Sequence, residues 1–130
     1  MSNPKKIVII DDDKEQRVLV QRKLQVQFPK NSVEFIAFEN ERAFFLHSVA
    51  AHFFILDYEM PGFLNGVEII YKYGLKNAAL FTGNKRALSS EEHAFLLQNS
   101  IPVFEKPKDL SLLKEHISNY LHVKETSCVA

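Results

Sequence analysis

Five short apolar runs punctuate the chain: residues 7–10, 33–38, 53–56, 78–81 and 101–104. Each is bounded by polar or turn-forming residues, as buried strands are. The segments between them are long enough for one helix each. Val20, Leu24 and Phe28 recur at helical spacing in the first, which Pro29 should close. In the fourth, Ser89 and Glu92 have the spacing of a capping box, in which each residue satisfies a backbone N–H of the other. In the fifth, Leu110, Leu113, Ile117 and Leu121 form a stripe behind Asp109, the expected N-cap. The stretch "KYGLK" reads as the end of the third helix.

Strands alternating with helices imply parallel pairing through right-handed crossovers. Apolar runs that are continuous rather than alternating imply a sheet covered on both faces. The expected fold is therefore α/β: a doubly wound five-stranded parallel sheet, flavodoxin-like in order 2-1-3-4-5, with helices on both faces. No internal repeat, low-complexity tract or linker interrupts it. One domain over 1–121 and a short C-terminal tail over 122–130, with no output domain, is the expected organisation.

Composition removes several function classes. At 130 residues the chain can bury one core without disulfides or structural metal. Lys and Arg together number 16, as do Asp and Glu, so nothing general attracts the protein to nucleic acid or an anionic membrane. Cys128 is the only cysteine, so no internal disulfide can form and a cytoplasmic location is expected. The ending "CVA" is one residue too short for a prenylation box. No apolar stretch is long enough to span a bilayer, and the N-terminus lacks a signal-peptide pattern.

Any charge-based function must then be local, and the strand ends are where it concentrates. In open α/β sheets ligands sit beyond the carboxyl ends of the strands. The first run ends at Asp11 and Asp12, the third at Asp57, the fourth at Thr82, and the fifth leads to Lys106. Three carboxylates with no histidine or cysteine among them suit a hard divalent cation such as Mg2+. Asp13 is surplus to that cluster and is expected to cap the first helix. With a metal nearby, Asp57 becomes a candidate nucleophile toward phosphorus, because carboxylates can form aspartyl phosphates. Lys106 offers a point positive charge to phosphate oxygens, and Thr82 offers a hydroxyl.

Together "IVIIDDDKEQR", "FFILDYEMPGFLNG", "LFTG" and "FEKP" resemble the receiver domain of two-component response regulators, over residues 5 to 121. The resemblance implies Asp57 as phosphoacceptor, Asp12 as a direct Mg2+ ligand, Asp11 as a ligand through water, and Asp57 and the Glu59 backbone carbonyl as further ligands. It makes Thr82 the switch hydroxyl and Lys106 the phosphate-binding ammonium, with a cis Lys106–Pro107 bond. It implies a phosphohistidine donor on a histidine kinase or histidine phosphotransfer protein. It implies a downstream protein target at the face built by the fourth helix, fifth strand and fifth helix, and allows a homodimer. It also implies a signalling phosphoacceptor that assists its own phosphorylation and slow dephosphorylation, rather than an enzyme.

The sequence departs from that pattern in places. Val103 stands where the family has an aromatic residue, "MPGFLNG" is one residue longer than usual, and the short interval from Asp57 to Thr82 shortens the third helix by about one turn, ~3.6 residues. Asn99 and Ser100 replace a usual Gly-Ala, and Glu59 and Asn84 occupy positions that tune phosphate lifetime in the family. Two rival readings follow. One is a degenerate receiver used only for binding. The other is an Mg2+-dependent phosphatase similar to the haloacid dehalogenases, in which Asp11 and Asp13 form D-x-D, although Glu15 stands where Thr or Val is expected. His47, His52, His93, His116 and His122 lack metal-ligand spacing and read as surface or half-buried. Phe44, Phe45, Phe53 and Phe54 read as core.

Overall fold

A computed structural model describes residues 3–47 and 50–122. The strands are β1 (Lys5–Ile10), β2 (Val33–Phe38), β3 (Phe53–Leu56), β4 (Ala78–Thr82) and β5 (Val103–Glu105). The helices are α1 (Lys14–Gln25), α2 (Glu41–His47), α3 (Gly66–Tyr73), α4 (Ser90–Gln98) and α5 (Leu110–Leu121), with a 3-10 turn over Lys85–Ala87. All pairings are parallel and the sheet order is β2-β1-β3-β4-β5. This is the expected doubly wound sheet. Cys128 and the tail from residue 123, and the side chain of His47, lie outside the described residues.

The continuous apolar runs exist because each strand feeds two cores. Val8 and Ile10 join Phe54, Leu56, Ala78 and Leu80 under α2, α3 and α4. Ile7 and Ile9 join Phe53, Ile55, Ala79 and Phe81 under α1 and α5. Neighbouring strand residues point to opposite faces, so a strand buried on both sides cannot alternate apolar with polar. The stripe on α5 behaves as expected: Leu113 and Ile117 are fully buried, and Leu110 and Leu121 flank them in the same core.

Caps set where the helices begin. Asp13 accepts a hydrogen bond from Gln16 N at 3.2 Å and starts α1. Ser89 and Glu92 form the expected box at α4, and Asn65 with Glu68 forms a second one at α3. Gly74 ends α3 in the left-handed region, at φ 60°. Residues Met60 to Phe63 close a turn, with Phe63 N on Met60 O at 3.0 Å, Pro61 second and Gly62 third at φ 84°. That geometry is a type II turn, whose third position favours glycine.

Four expectations shift. β5 begins at Val103 rather than Ile101, because the Ile101 N–H is spent on Leu96 O at the end of α4 and Pro102 has no N–H to give. α1 ends at Gln25, and Phe28 reaches the core from the turn beyond it. Asp109 sits at the N-cap of α5, but its carboxylate turns back to accept Glu105 N at 2.8 Å and makes no cap bond. Phe45 is 62% exposed, whereas Phe53 and Phe54 are core and Phe44 packs edge-on against Phe54.

Candidate functional site

The parallel ladder runs one residue past several strands, and this brings the polar residues level. Asp11 N donates to Phe38 O at 3.1 Å, Asp57 N to Ile10 O at 2.9 Å, and Lys106 N to Thr82 O at 3.0 Å. The backbone polar groups are thereby satisfied by the sheet while the side chains face its carboxyl edge. Carboxylate oxygens of Asp11, Asp12 and Asp57 all lie within 4.8 Å of one another. Asp11 is buried, Asp57 half-buried and Asp12 exposed, so the cluster opens to solvent on one side.

Lys106 is the cation that this cluster faces from within the chain. Its Nζ donates to Asp11 Oδ2 and lies 3.7 Å from Asp57 Oδ2. The Lys106–Pro107 peptide is cis, as expected. Asp57 Oδ1 accepts the backbone N–H of Tyr58 at 2.8 Å. Burial pushes the Asp57 carboxyl up to about 6. Lys106, the Tyr58 N–H and the Thr82 hydroxyl pull it down, and the Asp11 charge pushes it further up. A half-buried carboxylate with a raised pKa beside an ammonium and a second acid differs from a turn carboxylate in solvent, and groups perturbed in this way cluster at functional sites.

Each expected residue has a definite place. Thr82 closes β4, buried, with its hydroxyl interacting with Asp57 and accepting Asn84 N at 3.2 Å. Asn84 in turn donates through Nδ2 to the Glu59 side chain, so these two positions singled out in the sequence are joined to each other. Asp13 is drawn away by its cap on α1. That removes the second acid of the D-x-D reading. His52, His93 and His122 are exposed and His116 half-buried; His52 Nδ1 accepts Lys6 N at 2.9 Å, at the amino ends of β1 and β3 and so at the opposite edge of the sheet from the acidic cluster.

Three supports were not legible from the sequence motifs. Arg17, one turn into α1, donates to the Asp11 carbonyl at 2.7 Å. Gly66 opens α3 against the Asp57 carbonyl: a Cβ there would clash with Asp57 O and stand 2.6 Å from Leu80 Cδ2. The Tyr58 hydroxyl donates to Glu92 on α4 at 2.7 Å. Burial and Glu92 push that phenol up to about 12, so it remains a donor at neutral pH. The Arg17 position had a readable signal, since it lies four residues after the cap Asp13 and therefore on its face of α1. Tyr58 had none.

The acidic cluster fits a divalent cation by its chemistry: oxygen donors only, one side open to water, and a neighbouring ammonium to share any phosphate. No helix among the described residues is long and apolar enough to cross a membrane.

No protein-family model matches the sequence, and no curated protein matches it as a relative. Solved structures do match. The BeF3-activated receiver domain of DrrB, a Thermotoga maritima response regulator, is 22% identical with a TM-score of 0.70, over 92% of this chain and 98% of that one. The T. maritima response regulator TrrA, in complex with Mg2+ and BeF, is 24% identical with a TM-score of 0.70, over 89% and 98%. A CheY-like receiver domain from Methanospirillum hungatei is 20% identical with a TM-score of 0.69, over 92% and 98%. The chain has the receiver fold along nearly its whole length.

Proposed function

We propose that this protein is a phosphoacceptor of a two-component or phosphorelay system, taking a phosphoryl group from phosphohistidine onto Asp57. The observation that carries this reading is the Asp57 carboxylate standing between Asp11, Asp12 and the Lys106 ammonium. A binding-only receiver would not need that set, and a phosphatase centred on Asp11 would need Asp13, which α1 has taken.

An Asp57 oxygen attacks phosphorus, the phosphorus–nitrogen bond to the donor imidazole breaks, and the imidazole leaves and takes up a proton. Such transfer is mostly positioning and charge neutralisation. The Tyr58 N–H fixes one Asp57 oxygen and so orients the other. Lys106 neutralises charge on the incoming phosphoryl oxygens, and Thr82 donates its hydroxyl to them. Asp11, Asp12, Asp57 and the Glu59 carbonyl would hold Mg2+, which when bound supplies further positive charge to the phosphoryl oxygens. The protein thereby assists its own phosphorylation and slow dephosphorylation without being a turnover enzyme.

The signal leaves by protein contact. Phosphorylation shifts a conformational equilibrium at the face of α4, β5 and α5, where a downstream target or a second copy docks. A histidine kinase or phosphotransfer protein is the upstream partner. The test is intact mass after incubation with acetyl phosphate, with and without Mg2+, for the wild type and Asp57→Asn. A metal-dependent gain of one phosphoryl group, absent in Asp57→Asn, is expected. No gain from acetyl phosphate or from a phosphohistidine donor returns the binding-only reading, and a gain that survives the substitution moves the chemistry to Asp11.

A further inference from the structure

Two hydrogen bonds on one residue join the acceptor carboxylate to a helix of the output face. The backbone N–H of Tyr58 donates to Asp57 Oδ1 at 2.8 Å, and the Tyr58 hydroxyl donates to Glu92 Oε1 at 2.7 Å. That same Glu92 oxygen also accepts the Ser89 N–H at 2.8 Å, which is one half of the capping box that starts α4. The route from Asp57 to the first turn of α4 therefore consists of direct hydrogen bonds through Tyr58 and Glu92. On β5, by contrast, Val103 packs in the same core as Leu96 and Phe95 and has no polar atom with which to report on Asp57.

We infer that Tyr58 is a positioning residue that transmits the state of Asp57 to the N-terminus of α4 through Glu92. The inference rests on Asp57 being the phosphoacceptor. In the free protein the Tyr58 N–H meets a carboxylate, and hydrogen bonds to an ionised acceptor are about twice as strong as neutral ones. When Asp57 is phosphorylated its carboxyl becomes an acyl phosphate and the negative charge passes to the phosphoryl oxygens. The Tyr58 N–H then loses its charged acceptor, the peptide between Asp57 and Tyr58 is free to turn, and the phenol is drawn away from Glu92. Glu92 keeps the Ser89 N–H but loses the bond that tied it to the loop after β3. The first turn of α4 is released from the β3 end, and with it the wall of the groove between α3 and α4 that Tyr71, Glu92 and Phe95 line.

The test is hydrogen exchange of the full chain, followed at the amides of residues 89–93, before and after loading with Mg2+ and beryllofluoride as the phosphoryl mimic. Wild type, Tyr58→Phe and Glu92→Gln are compared, with loading at Asp57 read separately by intact mass after acetyl phosphate. In the wild type, exchange at these amides should rise by roughly tenfold on loading, the factor that one hydrogen bond to a charged group carries. In Tyr58→Phe the unloaded protein should already exchange at the loaded rate and change little further. Glu92→Gln keeps the box and the Tyr58 hydroxyl's acceptor in weakened, uncharged form and leaves Asp11, Asp12, Lys106 and Thr82 around Asp57 in place, so it should take phosphate normally with a clearly reduced response. A wild-type-sized response in a loaded Tyr58→Phe overturns the inference. If Tyr58→Phe does not fold, a full response in Glu92→Gln overturns it instead. Failure of the wild type to load under any donor removes the phosphoacceptor reading itself, which is a different result from loading without a response at α4.

Discussion

Asp57→Asn should stabilise the protein when metal is chelated, although it removes the group on which the proposed chemistry depends. Burial raises the Asp57 carboxyl from its ordinary 3.8 to about 6. A carboxyl whose folded pKa lies above its unfolded value favours the fold when protonated. That contribution is complete below about pH 4 and is lost as pH rises through about 6. At 1.36 kcal/mol per pKa unit the full loss is about 3 kcal/mol. The Asp57 side chain keeps 13% of its exposure, and solvent screening reduces the realised cost to about 1–2 kcal/mol. Asparagine carries no charge at any pH and can still accept the Tyr58 N–H. In EDTA at pH 7.5 the variant should therefore melt about 4–8 °C above the wild type, using about 4 °C per kcal/mol for a domain of this size. The gap should close as pH falls from 7 to 4. Thermal denaturation followed by circular dichroism across that range measures it directly. A variant less stable than the wild type at pH 7.5, or a gap that does not change between pH 4 and 7.5, refutes the reasoning.

Other perturbations test the supports around that carboxylate. Gly66→Ala places a Cβ against the Asp57 carbonyl and Leu80. It should cost about 1–3 kcal/mol in urea denaturation and depress phosphorylation as well, since relief of the clash must move Asp57 or α3. Lys106→Met leaves Asp11 and Asp57 without their ammonium. Denaturation at neutral pH should show a loss of about 1–3 kcal/mol that shrinks as pH falls through about 6, where Asp57 takes up a proton instead. Arg17→Met removes the donor on the Asp11 carbonyl. Mg2+ affinity by calorimetry should fall about tenfold or more, as when groups behind metal ligands are lost, and an unchanged affinity would show that Asp11 needs no such brace.

The architecture was legible because burial on both faces writes itself as continuous apolar runs, and because a parallel sheet delivers its strand ends to one edge. The positions of Asp11, Asp12, Asp57, Thr82 and Lys106 followed from that alone. What escaped the sequence was decided by backbone competition. Ile101 looks like strand, yet its N–H is taken by Leu96 O, so β5 starts two residues later. Asp109 looks like a cap, yet its carboxylate finds the Glu105 N–H. The Tyr58 side chain carries no signal in the sequence, because its partner Glu92 lies 34 residues away.

The run of three aspartates at the end of β1 resolves into a division of labour. Asp13 sets its charge at the start of α1, where its carboxylate accepts the N–H of Gln16. That cap fixes the register of the helix and so places Arg17 on the turn that faces back toward β1, where it holds the Asp11 carbonyl. The backbone N–H of Asp13 meanwhile donates to Asp11 Oδ1 at 2.9 Å, and Lys106 takes Asp11 Oδ2. Asp11 is thus pinned at its carbonyl and at both carboxylate oxygens, which lets a buried acid remain beside Asp57. Asp12 is held differently: it stands exposed at the open side of the cluster, where solvent rather than fixed donors surrounds its charge. Repulsion among the three is relieved by a helix N-terminus for one, fixed donors for the second and solvent exposure for the third, and the charge of Asp11 that remains beside Asp57 adds to the burial that raises the Asp57 carboxyl.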